Sequence, residues 1–172
     1  MSVAGNRDLT ILILTATALG VLDSLIPRPL PFMKIGLANV AAVIAVVKYG
    51  FLKTLELNLL RAFAVALITG LLATPSFLLS ISGAAVSAVV MGLCIKALPD
   101  GLSIPGLSVA GAVASLWGQL IVAGLLLPGL PLQNIVLLLT LWGVISGAAV
   151  GLLAQKTMGR NRDSGALRKA EC

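Results

Sequence analysis

Apolar residues run along this chain in long blocks, separated by short polar or glycine- and proline-containing breaks. The blocks are Leu9 to Ile26, Phe51 to Ala73, Phe77 to Leu98, Pro105 to Leu127 and Gln133 to Gln155, with a shorter stretch from Ile35 to Lys48. Each long block lies near or above the roughly 18 residues that a bilayer-spanning helix needs. The breaks Lys48-Tyr49-Gly50, Thr74-Pro75-Ser76, Pro99 to Ile104 and Pro128 to Leu132 have the composition of turns. The pattern predicts an all-α integral membrane protein, a single bundle of six transmembrane helices over residues 1–155. The second helix is short or entered through Pro27-Arg28-Pro29-Leu30-Pro31. Residues 156–172 form a basic tail whose charged and small residues predict disorder.

Composition agrees. At 59% hydrophobic and 10% charged residues, with mean hydropathy +1.09, the chain holds more apolar sequence than a water-soluble domain of its 172 residues buries. The net charge of +6 follows topology. Arg7, Lys48, Lys53, Lys96, Lys156, Arg160, Arg162, Arg168 and Lys169 fall on one predicted side, and Arg28 and Lys34 on the other. The positive-inside rule then makes both termini cytoplasmic. No soluble face gathers these charges, so nucleic acid is not an expected partner. Arg7 followed by an apolar run with Ala16-Thr17-Ala18 resembles a cleaved signal, but the run continues to Ile26 and a retained first helix is the better reading. Cys94 and Cys172 offer neither a disulfide framework nor metal-ligand spacing.

The most informative residue is Arg61, about 13 Å into its apolar block at ~1.5 Å per residue. A charge at that depth persists where it lines a polar interior, meets a counter-ion or receives a ligand. By the same count Asp23, Asn39, Ser82 and Gln119 stand about 20 Å up, and Ser115 near Arg61. These side chains, with Lys34 on the external loop, are the candidate ligand-binding residues. Asn58, Arg61, Val65 and Thr69 share one helix face, and Ser108, Ser115 and Gln119 another. Two readings of Arg61 stand: an internal ion pair with Asp23, or a planar donor fork for a carboxylate or phosphate. Glu56 follows Lys53 by three residues and reads as its interfacial partner.

Small residues recur every fourth position at Ala16 and Gly20; Ser80, Ala84, Ala88 and Gly92; Gly106, Ala110, Ala114 and Gly118; and Gly143, Gly147 and Gly151. Such stripes permit close helix packing. The first, Ala16 and Gly20, also suits docking of a partner membrane protein. Trp117 lies opposite Ser115 and Gln119 and is expected in packing or lipid contact. Trp142 is open to two readings, packing or stacking on a ligand ring. The segment Pro27 to Lys34 either covers an outward-facing cavity or reverses the chain.

Lys34-Ile35-Gly36-Leu37-Ala38-Asn39, Leu59-Leu60-Arg61, Ser76-Phe77-Leu78-Leu79-Ser80, Gly111-Ala112-Val113-Ala114 and Gly118-Gln119-Leu120 resemble a bacterial family. It is known as Gx transporter or heptaprenyl diphosphate synthase component I, and it is similar to the substrate-binding S components of energy-coupling factor transporters. The resemblance implies a multi-pass protein of the bacterial cytoplasmic membrane that captures a small, anionic or vitamin-like solute from outside. It also implies a partner scaffold protein with two ATPases. This chain has no Gly-x4-Gly-Lys-Ser/Thr loop of its own. Where members of the family tend to carry His-Asn, this chain reads Ser115-Leu116, and it has no histidine.

The second part of the family label implies prenyl transfer, or an accessory role in it. Ionising an allylic diphosphate calls for magnesium held by clustered carboxylates. Asp8, Asp23, Asp100 and Asp163 are isolated from one another. The chain is therefore expected not to be an enzyme and to need no cofactor, leaving solute capture, prenyl-chain handling or a purely structural role.

Overall fold

The computed structural model describes residues 3–25, 36–98, 102–126 and 132–159. They form five helical elements: α1 (Val3–Leu25), α2 (Asn39–Ile68), α3 (Pro75–Ala97), α4 (Ile104–Leu126) and α5 (Leu132–Met158). Among the described residues, four helices are long and apolar enough to cross a membrane, over Arg7–Leu25, Pro75–Ala97, Ile104–Leu126 and Val136–Met158. Large apolar side chains such as Leu14, Leu52, Leu125 and Leu137 point outward, as a lipid-facing surface requires.

The count differs from the six helices expected. The stretches Ile35–Lys48 and Phe51–Ala73 belong to one element, interrupted at Gly50, whose φ of 79° and ψ of −176° are not helical. The interruption is a reversal. Asn39 and Arg61 are 22 residues apart yet hydrogen-bond at 3.4 Å, whereas a straight helix would separate them by about 33 Å. The arm of residues 39–49 therefore lies back along residues 51–68. At ~1.5 Å per residue this arm is only about 16 Å long. It is built from small and β-branched residues, and Ala41, Ala42, Val43, Ala45, Val46 and Val47 are all buried.

The second arm also stops earlier than Ala73. Gly70 adopts φ of 70°, its N–H bonds to Leu67 O, and the Leu71 N–H reaches back to Ala66 O at 2.8 Å. This is a Schellman ending, which favours glycine at the left-handed position. Thr74 and Pro75 then start α3, with proline in the first turn, where its missing N–H costs nothing.

Consecutive elements pack side by side, α1 on α2, α2 on α3, α3 on α4 and α4 on α5, while α2 also meets α4 and α5. The small-residue stripes make these contacts close. A Cβ on Gly147 would meet Ala112 Cβ and Val109 Cα at 2.9 Å, and one on Gly151 would meet Pro105 Cα at 2.5 Å. Gly92 likewise makes room for Phe51, at 2.6 Å from its missing Cβ. Ala16 is fully buried, and Gly20 seats against Val65, 2.8 Å from its missing Cβ. The Ala16 and Gly20 stripe thus packs within the chain; the expected docking face for a partner is turned inward.

The contacts of Gly92 with Phe51 and of Gly151 with Pro105 bring the ends of α3 and α5 and the start of α4 to the level of Gly50. Asp8 of α1 is there too: burial, then the Asp8 carboxylate, pushes the Tyr49 hydroxyl above its ordinary pKa. Lys48, Lys53, Lys96 and Lys156 therefore collect at one end of the molecule. Lys53 Nζ pairs with Glu56 at 2.7 Å, both partly exposed, as the three-residue spacing predicts. An apolar core of Leu9, Ala16, Val43, Val46, Leu57, Met91 and Leu107 fills this half. A second cluster of Leu79, Leu116, Leu120, Ala123 and Leu139 joins α3, α4 and α5.

Candidate functional site

A cavity of about 430 Å³ opens among the helices, a size within the range of small-molecule sites. Asp23 from α1, Asn39 and Arg61 from the two arms of α2, and Ser115 and Gln119 from α4 all line it. Residues distant in sequence and predicted to share a membrane level do converge.

Arg61 is the centre of the charged wall. Its Nη1 donates to Asn39 Oδ1 at 3.4 Å, a long bond near the limit for a useful interaction. Asp23, itself buried, acts on the Arg61 guanidinium electrostatically. Asn39 reaches this place through local geometry: Gly36 takes φ of 78°, and its carbonyl accepts the Asn39 N–H at 2.8 Å. The turn sets Asn39 at the start of the short arm, facing Arg61.

On the other wall, Gln119 Nε2 donates to Ser115 O at 3.2 Å and to Ser115 Oγ at 3.3 Å. Gly83 makes room for the pair, since its missing Cβ would lie 2.8 Å from Gln119 Nε2, Ser115 O and Ser115 Oγ. Trp142 and Ser146, one turn apart on α5, also line the cavity, as do Thr69, Ser76, Phe77 and Ser80. Phe77 is steadied by an edge-to-face contact with Phe63, centroids 6.4 Å apart.

Among the described residues, one expected site residue is not brought in. Ser82 is absent from the lining: its hydroxyl donates to Leu79 O at 3.0 Å and Gly118 O at 3.4 Å, in the α3–α4 contact. Ser82 and Ser80 are two positions apart on α3, so they face different ways, and Ser80 is the one that reaches the cavity. Lys34, with the rest of the proline-rich segment, lies outside the described residues. Trp117 is about half exposed, at 46%, in keeping with its expected outward position.

Beneath the cavity a few buried polar side chains stand beside the apolar core. Asn58, one turn below Arg61, donates from Nδ2 to Ala84 O at 3.1 Å and ties α2 to α3. Ser108 occupies the equivalent place one turn below Ala112 on α4 and is also buried. Among the described residues, Asn58 Oδ1 and Ser108 Oγ are the buried side-chain atoms with no hydrogen-bond partner.

The model of the family described as heptaprenyl diphosphate synthase component I matches residues 12–157. The chain belongs to that family. No curated protein and no solved structure matches the chain. In this member of the heptaprenyl diphosphate synthase component I family, the matched region covers every residue that lines the cavity among those described. The arrangement can hold a small molecule through a guanidinium fork, two side-chain amides, several hydroxyls and an indole. Ser24, Ser76, Phe77 and Ser146 are among the lining residues that sequence reasoning did not place, whereas Trp142, four residues before Ser146, stood open between packing and stacking on a ligand ring. That four-residue relation on α5 is the one signal that pairs Trp142 with Ser146.

Proposed function

We propose that this protein is a membrane solute-binding and translocation subunit of the S-component kind. Its six helical segments, counting the two arms of α2 separately, cross or enter the bacterial cytoplasmic membrane with both termini inside. The observation that carries the reading is Arg61: a guanidinium held deep in an apolar helix and exposed to a cavity rather than sealed in the core. Such a charge is costly in hydrocarbon, and a carboxylate or other anionic group entering the cavity offsets that cost through paired, charge-assisted hydrogen bonds. Collection of Lys48, Lys53, Lys96 and Lys156 at one end supports the orientation. In this orientation the cavity's charged wall lies toward the outer half.

Energy for uptake comes, in this reading, from a partner scaffold protein with two ATPases, because the chain carries no phosphate-binding loop. The protein itself is not a catalyst.

The family description favours a second reading, a non-catalytic membrane subunit that handles a prenyl chain for a diphosphate synthase. A lipid tail suits an apolar cavity, whereas this one presents Asp23, Arg61, Asn39 and Gln119.

Native mass spectrometry of the protein purified from its own host tests the first reading. A small polar molecule on the wild type, absent from Arg61→Ala of equal thermal stability, is the expected result. A bare wild type, with Arg61→Ala merely unstable, would make Arg61 a structural residue.

A further inference from the structure

We infer that the solute is a hydrogen-bond donor, carrying more than one N–H or O–H group, and that Gln119 is the residue that selects for them; this rests on the solute-capture reading. Several lining side chains have already given their protons to the protein itself. Ser24 Oγ donates to Gly20 O at 2.8 Å, Thr69 Oγ1 to Val65 O at 2.8 Å and Ser146 Oγ to Gly143 O at 3.3 Å. A backbone carbonyl has no proton to give, so in each contact the hydroxyl is the donor and its lone pairs remain. All three residues line the cavity. Toward a solute they are acceptors, supplied by α1, the end of α2 and α5.

Gln119 is fixed in the same sense. Its Nε2 donates to Ser115 O and Ser115 Oγ. Because Ser115 O is a carbonyl, turning the amide round would set two oxygens against each other. Gly83 backs the arrangement, since a side chain there would strike Nε2 and both Ser115 oxygens, each 2.8 Å from the missing Cβ. With the amino end engaged, the end of this buried amide left to the cavity is the Oε1 acceptor.

The direction of these bonds decides which solutes fit. A solute N–H or O–H meets Gln119 Oε1 and the three hydroxyl oxygens as they stand. A solute with acceptors alone must break an intrahelical bond to free each proton, or set oxygen against oxygen where water has been displaced, and both are unfavourable. Ser115 Oγ, which accepts from Gln119, keeps a proton of its own. Arg61 donates to Asn39 Oδ1 through one nitrogen and retains further N–H groups for an acceptor of the solute. Amino compounds, polyols and N–H heterocycles therefore suit the site, whatever their net charge. Acyl and prenyl chains, and carbonyl compounds without N–H or O–H, do not.

The test is native mass spectrometry of the full chain purified from its own host, as wild type, Gln119→Met and Arg61→Ala, with the released solute weighed in H2O and in D2O so that deuterium uptake counts its N–H and O–H groups. The expected result is a solute with more than one such group besides any acid proton, its occupancy about tenfold lower in Gln119→Met. A solute without these groups would overturn the inference while leaving solute capture standing. So would a solute lost from Arg61→Ala but retained in full by Gln119→Met. Should Gln119→Met be less stable than the wild type, the deuterium count on the wild-type solute decides alone. No solute on the wild type would overturn both readings.

Discussion

Asn39 and Arg61 stand at equal distances in sequence on either side of Gly50 and meet at 3.4 Å. The reversal at Gly50 therefore builds the site, because it brings the start of one arm against the middle of the other. Its φ of 79° and ψ of −176° belong to a backbone region that is essentially confined to glycine. Gly50→Ala should lower stability by about 1–3 kcal/mol and separate Asn39 from Arg61, weakening ligand retention. Thermal melting in detergent and native mass spectrometry read the two effects; an unchanged melting temperature would mean that the turn tolerates a side chain.

The stripe on α5 gives a graded prediction. A Cβ on Gly151 would press on backbone, Pro105 Cα at 2.5 Å, whereas one on Gly143 would make an ordinary contact at 3.4 Å with the end of the Leu116 side chain. Gly151→Ala should destabilise by about 1–3 kcal/mol, as overpacking does. Gly143→Ala should be neutral or slightly stabilising, since alanine favours a helix by up to about 1 kcal/mol over glycine. Equal melting temperatures for the two variants would count against the close α4–α5 packing.

The polar layer below the cavity separates a bonded group from an unbonded one. Asn58→Ala removes the Nδ2 bond to Ala84 O that joins α2 and α3 and should cost about 1–3 kcal/mol. Ser108→Ala removes a buried hydroxyl with no hydrogen-bond partner and should be neutral or stabilising. A cost above about 1 kcal/mol for Ser108→Ala would show that the hydroxyl is engaged in the membrane.

Lys53 and Glu56 pair at 2.7 Å, with side chains 31% and 46% exposed. Solvent and salt screen such a pair, so Glu56→Gln should change stability by less than about 1 kcal/mol. Chemical unfolding in detergent checks this, and a larger loss would indicate that Glu56 supports more than its neighbour.

Arg61 could be found from sequence because a lone charge inside an apolar block has few explanations, and counting rise per residue then put Asp23, Asn39, Ser115 and Gln119 on the same or neighbouring levels. Height alone does not specify direction, which is why Ser82 was expected in the cavity although its hydroxyl turns to Leu79 O and Gly118 O. The small residues Ala16 and Gly20 look the same whether the helix they admit belongs to this chain or to another; here it is α2, through Val65. Apolar blocks on either side of Lys48-Tyr49-Gly50 placed two helices about a turn, and the two arms of α2 do fold back on each other at Gly50; periodicity did not show that the second arm ends at Gly70 rather than Ala73. Trp142 and Ser146 carry no charge and cost little at any depth, so nothing in composition separated them from packing residues.

The central claim is that the cavity beside Arg61 receives a solute. An experimental structure of the protein, purified from its host without added ligand and refined at a resolution that distinguishes lipid tails from compact solutes, tests it most directly. The account predicts compact density beside Arg61, with an anionic group within hydrogen-bond distance of the guanidinium. An acyl chain filling that space, or Arg61 closed onto Asp23 with the cavity collapsed, would contradict it.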